Sequence, residues 1–165
     1  MRLYMSERER RLWFMNTSWQ MVLDCADPRI MVEFWSQALH YVPEPPPAPH
    51  PTWRAYWQDM GVPDEELPPG AGDLAESIID PQEKGPRWWF QQVPETKSIK
   101  NRLHIDLLVG GGRSVPIDVR QQRVRQEAQR LITLGASVRH EMNSPEMGHF
   151  AICMADPEGN EFDVV

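Results

Sequence analysis

The feature that most constrains the fold of this chain is an internal repeat in the order of its predicted elements. Each half reads as a strand, an amphipathic helix and three further strands. In each half the last two strands are joined by a turn that begins with Asp-Pro, at Asp80-Pro81 and at Asp156-Pro157. A βαβββ unit covers one sheet face with its helix and leaves the other bare. The repeat therefore predicts an α+β fold in which two βαβββ modules form one domain around a shared, half-barrel cleft.

The first module, residues 18–93, begins with a segment in which apolar and polar residues alternate, as in a half-buried strand. Asp27 and Pro28 follow as the N-cap and first residue of a helix, whose apolar residues recur at helical spacing. A proline-rich loop at 43–51 is predicted to run extended over the surface. Strands are predicted at 18–25, 52–58, 74–80 and 87–93.

A polar linker, residues 94–100, precedes the second module, residues 101–165. The second helix carries an apolar stripe over 117–134 and ends at Gly135. Strands of this module are predicted at 101–109, 137–142, 149–155 and 160–165. The charged residues 1–17 show no such pattern, and we interpret them as an N-terminal extension of the single domain 18–165.

Composition and charge narrow the classes of partner. The chain has 165 residues, with 24 acidic and 17 basic side chains, a formal net charge of −7 and a pI near 5.2. We therefore expect neither nucleic acid nor an anionic membrane as the main partner, and no apolar run approaches the length of a membrane span. We expect a cytoplasmic protein in which Cys25 and Cys153, which lie outside any CxxC motif, are reduced and buried.

Four segments of the chain, in their order and spacing, resemble the vicinal oxygen chelate superfamily. They are DCADPRIMVEFWSQALHY after the first strand, KNRLHIDLLV at the start of the second module, LITLGAS at the end of its helix and DPEGNEFDVV at the C-terminus. The resemblance is to the glyoxalase-like branch, which is related to glyoxalase I, extradiol dioxygenases and fosfomycin- and bleomycin-resistance proteins. One departure is His40, where such domains usually carry glycine; histidine tolerates the left-handed conformation of that position.

In metal-dependent members of that superfamily, the ligands come from the first and last strands of each module. The resemblance places these positions at Gln20, His104 and Asp163. The fourth falls on Gln91 if the FQ pair is matched to the family pattern, and on Trp89 if the two Asp-Pro turns are matched. One imidazole, one carboxylate and neutral amides form a weaker donor set than the family usually offers. If a metal binds, the histidine favours Zn²⁺, Ni²⁺, Co²⁺ or Mn²⁺ over Ca²⁺.

Polar side chains recur at every second position of the first strand predicted in the second module. Arg102, His104 and Asp106 therefore project from one face. One interpretation is a polar strip on the cleft floor: Arg102 binds an anionic substrate group, and His104 is a ligand or base that Asp106 orients. The other is an ion-pair network between the modules. Alternation also directs Asp24 and Trp89 into the cleft, where we expect them to contact a ligand.

The resemblance implies two functions of different classes. The first is a divalent-metal-dependent lyase, isomerase or related enzyme in which His104 and Asp163 take part in catalysis. The alternative is a metal-free protein that binds or sequesters a small, antibiotic-type molecule by stacking on aromatic side chains. Trp53, Tyr56 and Trp57 either cap the cleft as a lid or pack within their own loop. The resemblance also implies a homodimer, and a dimer with a vestigial cleft is a third interpretation.

Overall fold

The computed structural model describes residues 18–67 and 69–165 as two four-stranded sheets, each with a long helix packed on it. The predicted extension, residues 1–17, lies outside the described residues. The first module comprises β1 (Met21–Cys25), α1 (Pro28–Leu39), β2 (Val42–Pro43), α2 (Trp53–Asp59), β3 (Ser77–Ile79) and β4 (Trp88–Gln92). The second comprises β5 (Asp106–Leu107), α3 (Ile117–Thr133), β6 (Ser137–Ser144), β7 (His149–Ala155) and β8 (Glu161–Val164). Short 3-10 helices span Asp64–Glu66 and Pro145–Met147.

The two sheets have the same strand order, which is β1-β4-β3-β2 in the first and β5-β8-β7-β6 in the second. In each, the first and last strands of the module pair in parallel and the remaining neighbours pair antiparallel. This shared topology confirms the predicted α+β fold of two βαβββ modules. Helix α2 is inserted between β2 and β3, whereas the corresponding connection in the second module holds only the 3-10 helix at 145–147.

Two local predictions are wrong. Residues 52–58, predicted as a strand, form helix α2, because the Thr52 side chain accepts a hydrogen bond from the backbone N–H of Ala55 at 3.1 Å and caps the helix. The strand predicted at 101–109 is reduced to the two residues of β5. At the start of the predicted strand, the backbone N–H of Asn101 donates to the side-chain carboxylate of Glu161 in β8, at 2.9 Å, and not to a backbone carbonyl of that strand.

Both long helices bury one apolar stripe and expose the rest of their surface. The buried positions are Pro28, Met31, Val32, Phe34, Trp35 and Ala38 in α1 and Val124, Ala128 and Leu131 in α3. Their spacing of three or four residues is the one that the sequence pattern predicts. Within residues 18–67 and 69–165, no helix is both long enough and apolar enough to span a bilayer.

Trp35 of α1 is the point at which the two modules share a core. Its ring centroid lies 4.9 Å from that of Trp88 in β4 and 5.2 Å from that of Phe162 in β8. Its indole N–H donates to the buried carboxylate of Asp156, at 3.2 Å from Oδ2. Because these partners come from both sheets, α1 packs on the second module as well as on its own.

Charged side chains of the second module also satisfy both ends of α1. At its N-terminal end, the Glu158 carboxylate accepts the backbone N–H groups of the two residues before the helix, each at 2.7 Å. At the C-terminal end, the Arg130 guanidinium donates to the carbonyls of Gln37 and Ala38, at 3.2 and 3.4 Å. An anion at the first end and a cation at the second also complement the helix dipole. This clamp fixes the first sheet relative to the second.

The two Asp-Pro turns share a hydrogen-bonding scheme but differ in burial. In each, the aspartate accepts backbone N–H groups of its own turn, from Gln82, Lys84 and Gly85 at Asp80 and from Glu158 and Asn160 at Asp156. The hydrogen bonds at Asp80 lower the pKa of that carboxyl. Asp156 is buried against Trp35, and its burial raises its pKa. The same turn therefore lies at the surface in one module and at the interface in the other.

Replacing Glu158 with alanine removes the carboxylate that accepts the two backbone N–H groups before α1. We expect the free energy of unfolding to fall by about 1–2 kcal/mol, because the variant loses two charge-assisted hydrogen bonds between the modules. Urea denaturation followed by tryptophan fluorescence measures the change. Glu146→Ala, which removes an exposed carboxylate from the 145–147 turn, is the matched control. An equal loss of stability in both variants would contradict the clamp.

Asp80→Asn tests the surface turn through its pH dependence. The folded state holds the pKa of Asp80 below its ordinary value of 3.8. Ionised Asp80 therefore stabilises the fold above that pH, and this contribution is lost as the pH falls through the folded pKa. We expect the variant to melt at a lower temperature than the native protein at neutral pH, and the two melting temperatures to converge below pH 3.8. A difference that stays constant over the whole pH series rules this explanation out.

Candidate ligand and metal site

Three metal-ligating side chains of the second module form a compact group, which we call the histidine cluster: His104, Asp106 and Asp163. The Nε2 atom of His104 lies 3.6 Å from Asp106 Oδ1 and 3.6 Å from Asp163 Oδ2. One donor atom from each residue lies within 4.8 Å of the others. The side chains of His104 and Asp106 are each 49% exposed, whereas that of Asp163 is 16% exposed. The cluster is therefore open to solvent on one side.

Strand alternation explains why these groups converge. Ile105 and Leu107 pack against the core, so the side chains of His104 and Asp106 point to the opposite face. Asp106 is paired with Asp163 across the parallel strands β5 and β8, which sets two carboxylates side by side. Neighbouring carboxylates repel each other unless a proton or a cation lies between them. A cation held between the two carboxylates would offset this repulsion.

The Cys153 thiol lies next to this cluster but is not poised for chemistry. Cys153 pairs with Asp163 across β7 and β8 and is buried and free. Burial, together with a hydrogen bond to Asp163, raises the pKa of Cys153 to about 11. The other free thiol, Cys25 in β1, has its pKa raised to about 12, mainly by burial and by the nearby charge of Glu158. Both thiols are thus protonated at neutral pH, and the prediction of buried, unpaired cysteines is confirmed.

The first sheet presents a different set of side chains on the corresponding face. Val22 pairs with Trp89, and Asp24 pairs with Gln91, across the parallel strands β1 and β4. The residue between them on each strand belongs to the core cluster. Asp24, Trp89 and Gln91 therefore share the face that points away from the core, as strand alternation predicts.

Strand register identifies the first-module counterpart of Asp163. In each module, the residue three positions before the aspartate of the Asp-Pro turn pairs with the last strand. These pairs are Ser77 with Trp89 and Cys153 with Asp163. Trp89, and not Gln91, is therefore the counterpart of Asp163, and by the same register Gln20 is the counterpart of His104. The indole of Trp89 carries only a donor N–H, so it places no metal ligand at this position.

Gln20 is hydrogen-bonded in a way that limits its use as a metal ligand. The Arg87 Nη1 atom donates to Gln20 Oε1 at 2.7 Å. Since a guanidinium can only donate, the amide oxygen must face Arg87 and the amide NH₂ group must face elsewhere. Arg87 Nε in turn donates to Glu44 Oε2 at 2.7 Å, and this carboxylate also accepts the Ser77 hydroxyl at 2.6 Å. The network commits the Gln20 oxygen to Arg87 and leaves its N–H groups for another partner.

Asp24 and Arg102 line a separate cavity of about 960 Å³, whose wall is formed largely by the linker 94–100. Lys97 of this linker is held by an ion pair with Glu161, at 3.0 Å. The structure thus divides the predicted polar strip: His104 and Asp106 join the histidine cluster, whereas Arg102 faces the linker cavity. Asp24 and Arg102 carry opposite charges, so this cavity suits a ligand with both donors and acceptors.

A smaller cavity of about 230 Å³ lies on the first sheet, and we call it the tryptophan pocket. It is lined by Trp53, Trp57, Leu74, Glu76, Ser77, Arg87 and Trp89. From the sequence, the tryptophans of this pocket are candidate ligand contacts, whereas Arg87 and its partner Glu44 are not. Glu44 lies in the proline-rich loop and Arg87 just before β4, and no spacing pattern in the sequence connects two such positions.

Comparisons with known proteins agree with this architecture. A family model described as a glyoxalase-like domain matches residues 20–165. No curated protein matches the chain. Among solved structures, a hypothetical protein from S. aureus has 13% sequence identity and a TM-score of 0.55, with 93% of this chain and 96% of that chain covered.

Two further similar structures have functional descriptions. One is a FosX mutant from Listeria monocytogenes, a fosfomycin resistance protein complexed with Mn(II) and 1S,2S-dihydroxypropylphosphonic acid. It has 10% identity and a TM-score of 0.53, with 91% of this chain and 90% of that chain covered. The other, from Burkholderia phytofirmans, is described as a glyoxalase/bleomycin resistance protein/dioxygenase family enzyme. It has 14% identity and a TM-score of 0.51, with 88% and 94% covered. At these identities the likeness shows the fold.

The raised thiol pKa values predict a protein that resists alkylation. The thiolate is the nucleophile, so at pH 8 we expect iodoacetamide to label about a tenth or less of Cys25 and Cys153 in the time that labels both fully in urea. Intact-mass spectrometry counts the adducts, and the urea-unfolded chain is the control. Rapid labelling of Cys153 in the folded protein would contradict its placement beside Asp163.

Proposed function

The chain belongs to the glyoxalase-like domain family, and on that premise we propose that it binds a small organic molecule in its cleft and converts it with the help of a divalent metal ion. The observation that carries the proposal is the histidine cluster, in which an imidazole and two carboxylates lie within 4.8 Å of one another. The reaction class is that of a lyase or isomerase, in which a proton moves at a carbon beside an oxygen of the substrate.

The donor set fits a transition-metal ion or zinc. One nitrogen and two anionic oxygens suit Zn²⁺, Ni²⁺, Co²⁺ or Mn²⁺, and the two carboxylates offset the charge of the ion. In a site that used equivalent positions of both modules, the first module would provide the second carboxylate. Here Asp106 of the second module provides it. Gln91 then has no role as a ligand, and Gln20 is the one residue of the first module proposed to complete the set, on release from Arg87.

Each residue of the site has a distinct proposed role. A bound metal ion would polarise adjacent oxygens of the substrate. His104 and Asp163 would take part in catalysis by holding that ion beside the substrate, since both belong to the donor set. Asp24 and Arg102 bind polar substituents in the linker cavity. Trp89 provides an apolar wall on the first sheet.

The second candidate is a metal-free protein that binds or sequesters its ligand. It is favoured by the tryptophan at the position equivalent to Asp163 and by the commitment of the Gln20 oxygen to Arg87. In this case the histidine cluster binds a polar group of the ligand through the His104 ring. The ligand class, a small organic molecule, is the same for both candidates.

We also expect the protein to be a homodimer and to be located in the cytoplasm. The family resemblance implies a homodimer, which sedimentation of the purified chain tests directly. The cysteine content and charge favour a cytoplasmic location, which cell fractionation tests.

The deciding measurement is a calorimetric titration of chelator-treated protein with Zn²⁺, Ni²⁺, Co²⁺ and Mn²⁺. We expect one site per chain, and we expect His104→Ala and Asp163→Asn each to weaken binding by about tenfold or more, which corresponds to about 1.4 kcal/mol or more. The reason is that each variant removes one donor from a set of three.

His40→Asn is the matched control for the loss of an imidazole. His40 is exposed in the first module and has the left-handed conformation at the end of α1, which asparagine also adopts. We expect this variant to bind metal like the native protein. An absence of binding tighter than millimolar in the native protein, or equal loss in all three variants, would overturn the metal proposal and favour the binding protein.

A further inference from the structure

The tryptophan pocket is built by a segment that has no equivalent in the second module. Helix α2 supplies Trp53 and Trp57, which lie four residues apart and therefore on one face of the helix. Their ring centroids are 6.2 Å apart. The third indole, Trp89, comes from β4 and stands between Val22 and Ser77 on the neighbouring strands. Three half-buried indoles thus line one pocket, and one of them, Trp89, occupies the position that Asp163 has in the second module.

Both tryptophans of α2 are fixed in place by their surroundings. The indole N–H of Trp53 donates to the backbone carbonyl of Glu44, at 3.1 Å. Trp57 packs against Gly72, where an added Cβ would come within 2.7 Å of the indole ring and 2.5 Å of the Arg54 backbone nitrogen. The pocket is therefore held open by a hydrogen bond and by close packing, and its rings need not be ordered by a ligand.

The size of the pocket limits what it can hold. Sites that enclose a whole drug-sized ligand measure roughly 300–1,000 Å³, whereas this cavity measures about 230 Å³. It therefore takes a ring-sized part of a ligand. Indole faces bind flat aromatic rings by offset stacking or edge-to-face contact, so a flat ring is the group that fits.

The charges around the pocket select among such rings. Among the described residues that line the pocket, Arg87 is the only cation, and its Nε atom is paired with Glu44 at 2.7 Å. Glu76 adds a second carboxylate, which accepts the backbone N–H of Gly72 at 3.3 Å. Glu44 does not line the pocket but pairs with Arg87, so the formal charge of Arg87, Glu44 and Glu76 together is −1. A ligand carboxylate would meet a cation that is already neutralised, and it would be repelled by Glu76.

We infer that the tryptophan pocket is a specificity subsite for an uncharged, flat aromatic ring of the ligand and that it discriminates against aromatic carboxylates. The inference rests on the proposed function for the cleft as a ligand site, and it names the class of ligand. It requires no metal ion, because none of the histidine cluster lines the pocket.

The test compares two probes of the same shape, 2-naphthol and 2-naphthoate, by calorimetric titration of chelator-treated protein at neutral pH. We expect 2-naphthol to bind at least about tenfold more tightly. Trp57→Leu and Trp89→Leu should each weaken binding of 2-naphthol by about fivefold to tenfold, which is the scale of one aromatic contact. Trp19→Leu, which replaces an exposed indole outside the pocket, is the matched control and should bind like the native protein.

Glu76→Gln tests the charge selection without removing the hydrogen bond, since the amide oxygen can still accept the N–H of Gly72. We expect this variant to bind 2-naphthoate several-fold more tightly than the native protein does, so that the preference for 2-naphthol over 2-naphthoate becomes smaller. Thermal melts establish that every variant is folded.

The inference is overturned if the native protein binds both probes equally, if it binds neither, or if the two pocket variants bind 2-naphthol like the native protein. Because the titration uses metal-free protein, its outcome is separate from that of the metal titration. Selective naphthol binding without a metal site would leave the pocket standing and remove the metal proposal. A metal site without naphthol binding would do the reverse.

Discussion

The structure depends on the way the second module holds both ends of the first helix. Glu158 accepts the N–H groups before α1, Arg130 donates to its last carbonyls, and Asp156 accepts the indole N–H of Trp35 between them. Asp27 caps the start of α1 from within its own module, and the contacts from Glu158, Arg130 and Asp156 add bonds that join the helix to the second module. The clamp therefore sets how the two sheets face each other and where their side chains meet.

Most of the fold could be predicted from the sequence, because its signals are local and repeated. The alternation in 18–25, the Asp27-Pro28 start of α1 and the two Asp-Pro turns each record one local backbone preference. The failure at 52–58 has a local cause as well: Thr52 is a helix N-cap, and the aromatic residues after it were interpreted as strand formers. At Asn101, the backbone N–H donates to the side chain of Glu161, 60 residues away in sequence, and no local pattern records such a contact.

The candidate site could be predicted only in part. His104, Asp106 and Asp163 come together as strand alternation and the family pattern suggested. The sequence left Gln91 and Trp89 as alternatives, and only the pairing of β3 with β4 distinguishes them. Glu44 and Arg87 lie far apart in the chain, and their contact depends on how the proline-rich loop returns to the sheet. Long-range polar networks of this kind are set by the tertiary structure and leave no spacing in the sequence.

The exchange of Asp163 for Trp89 between equivalent positions has a stereochemical consequence. Two repeated modules would otherwise offer a ligand two orientations related by the pseudo-twofold axis, with no energetic difference between them. Here one module bears a carboxylate and the other an indole at this position, so a ligand that reached both would bind in a single direction, with an oxygen-bearing end towards Trp89's counterpart Asp163 and a flat end towards Trp89.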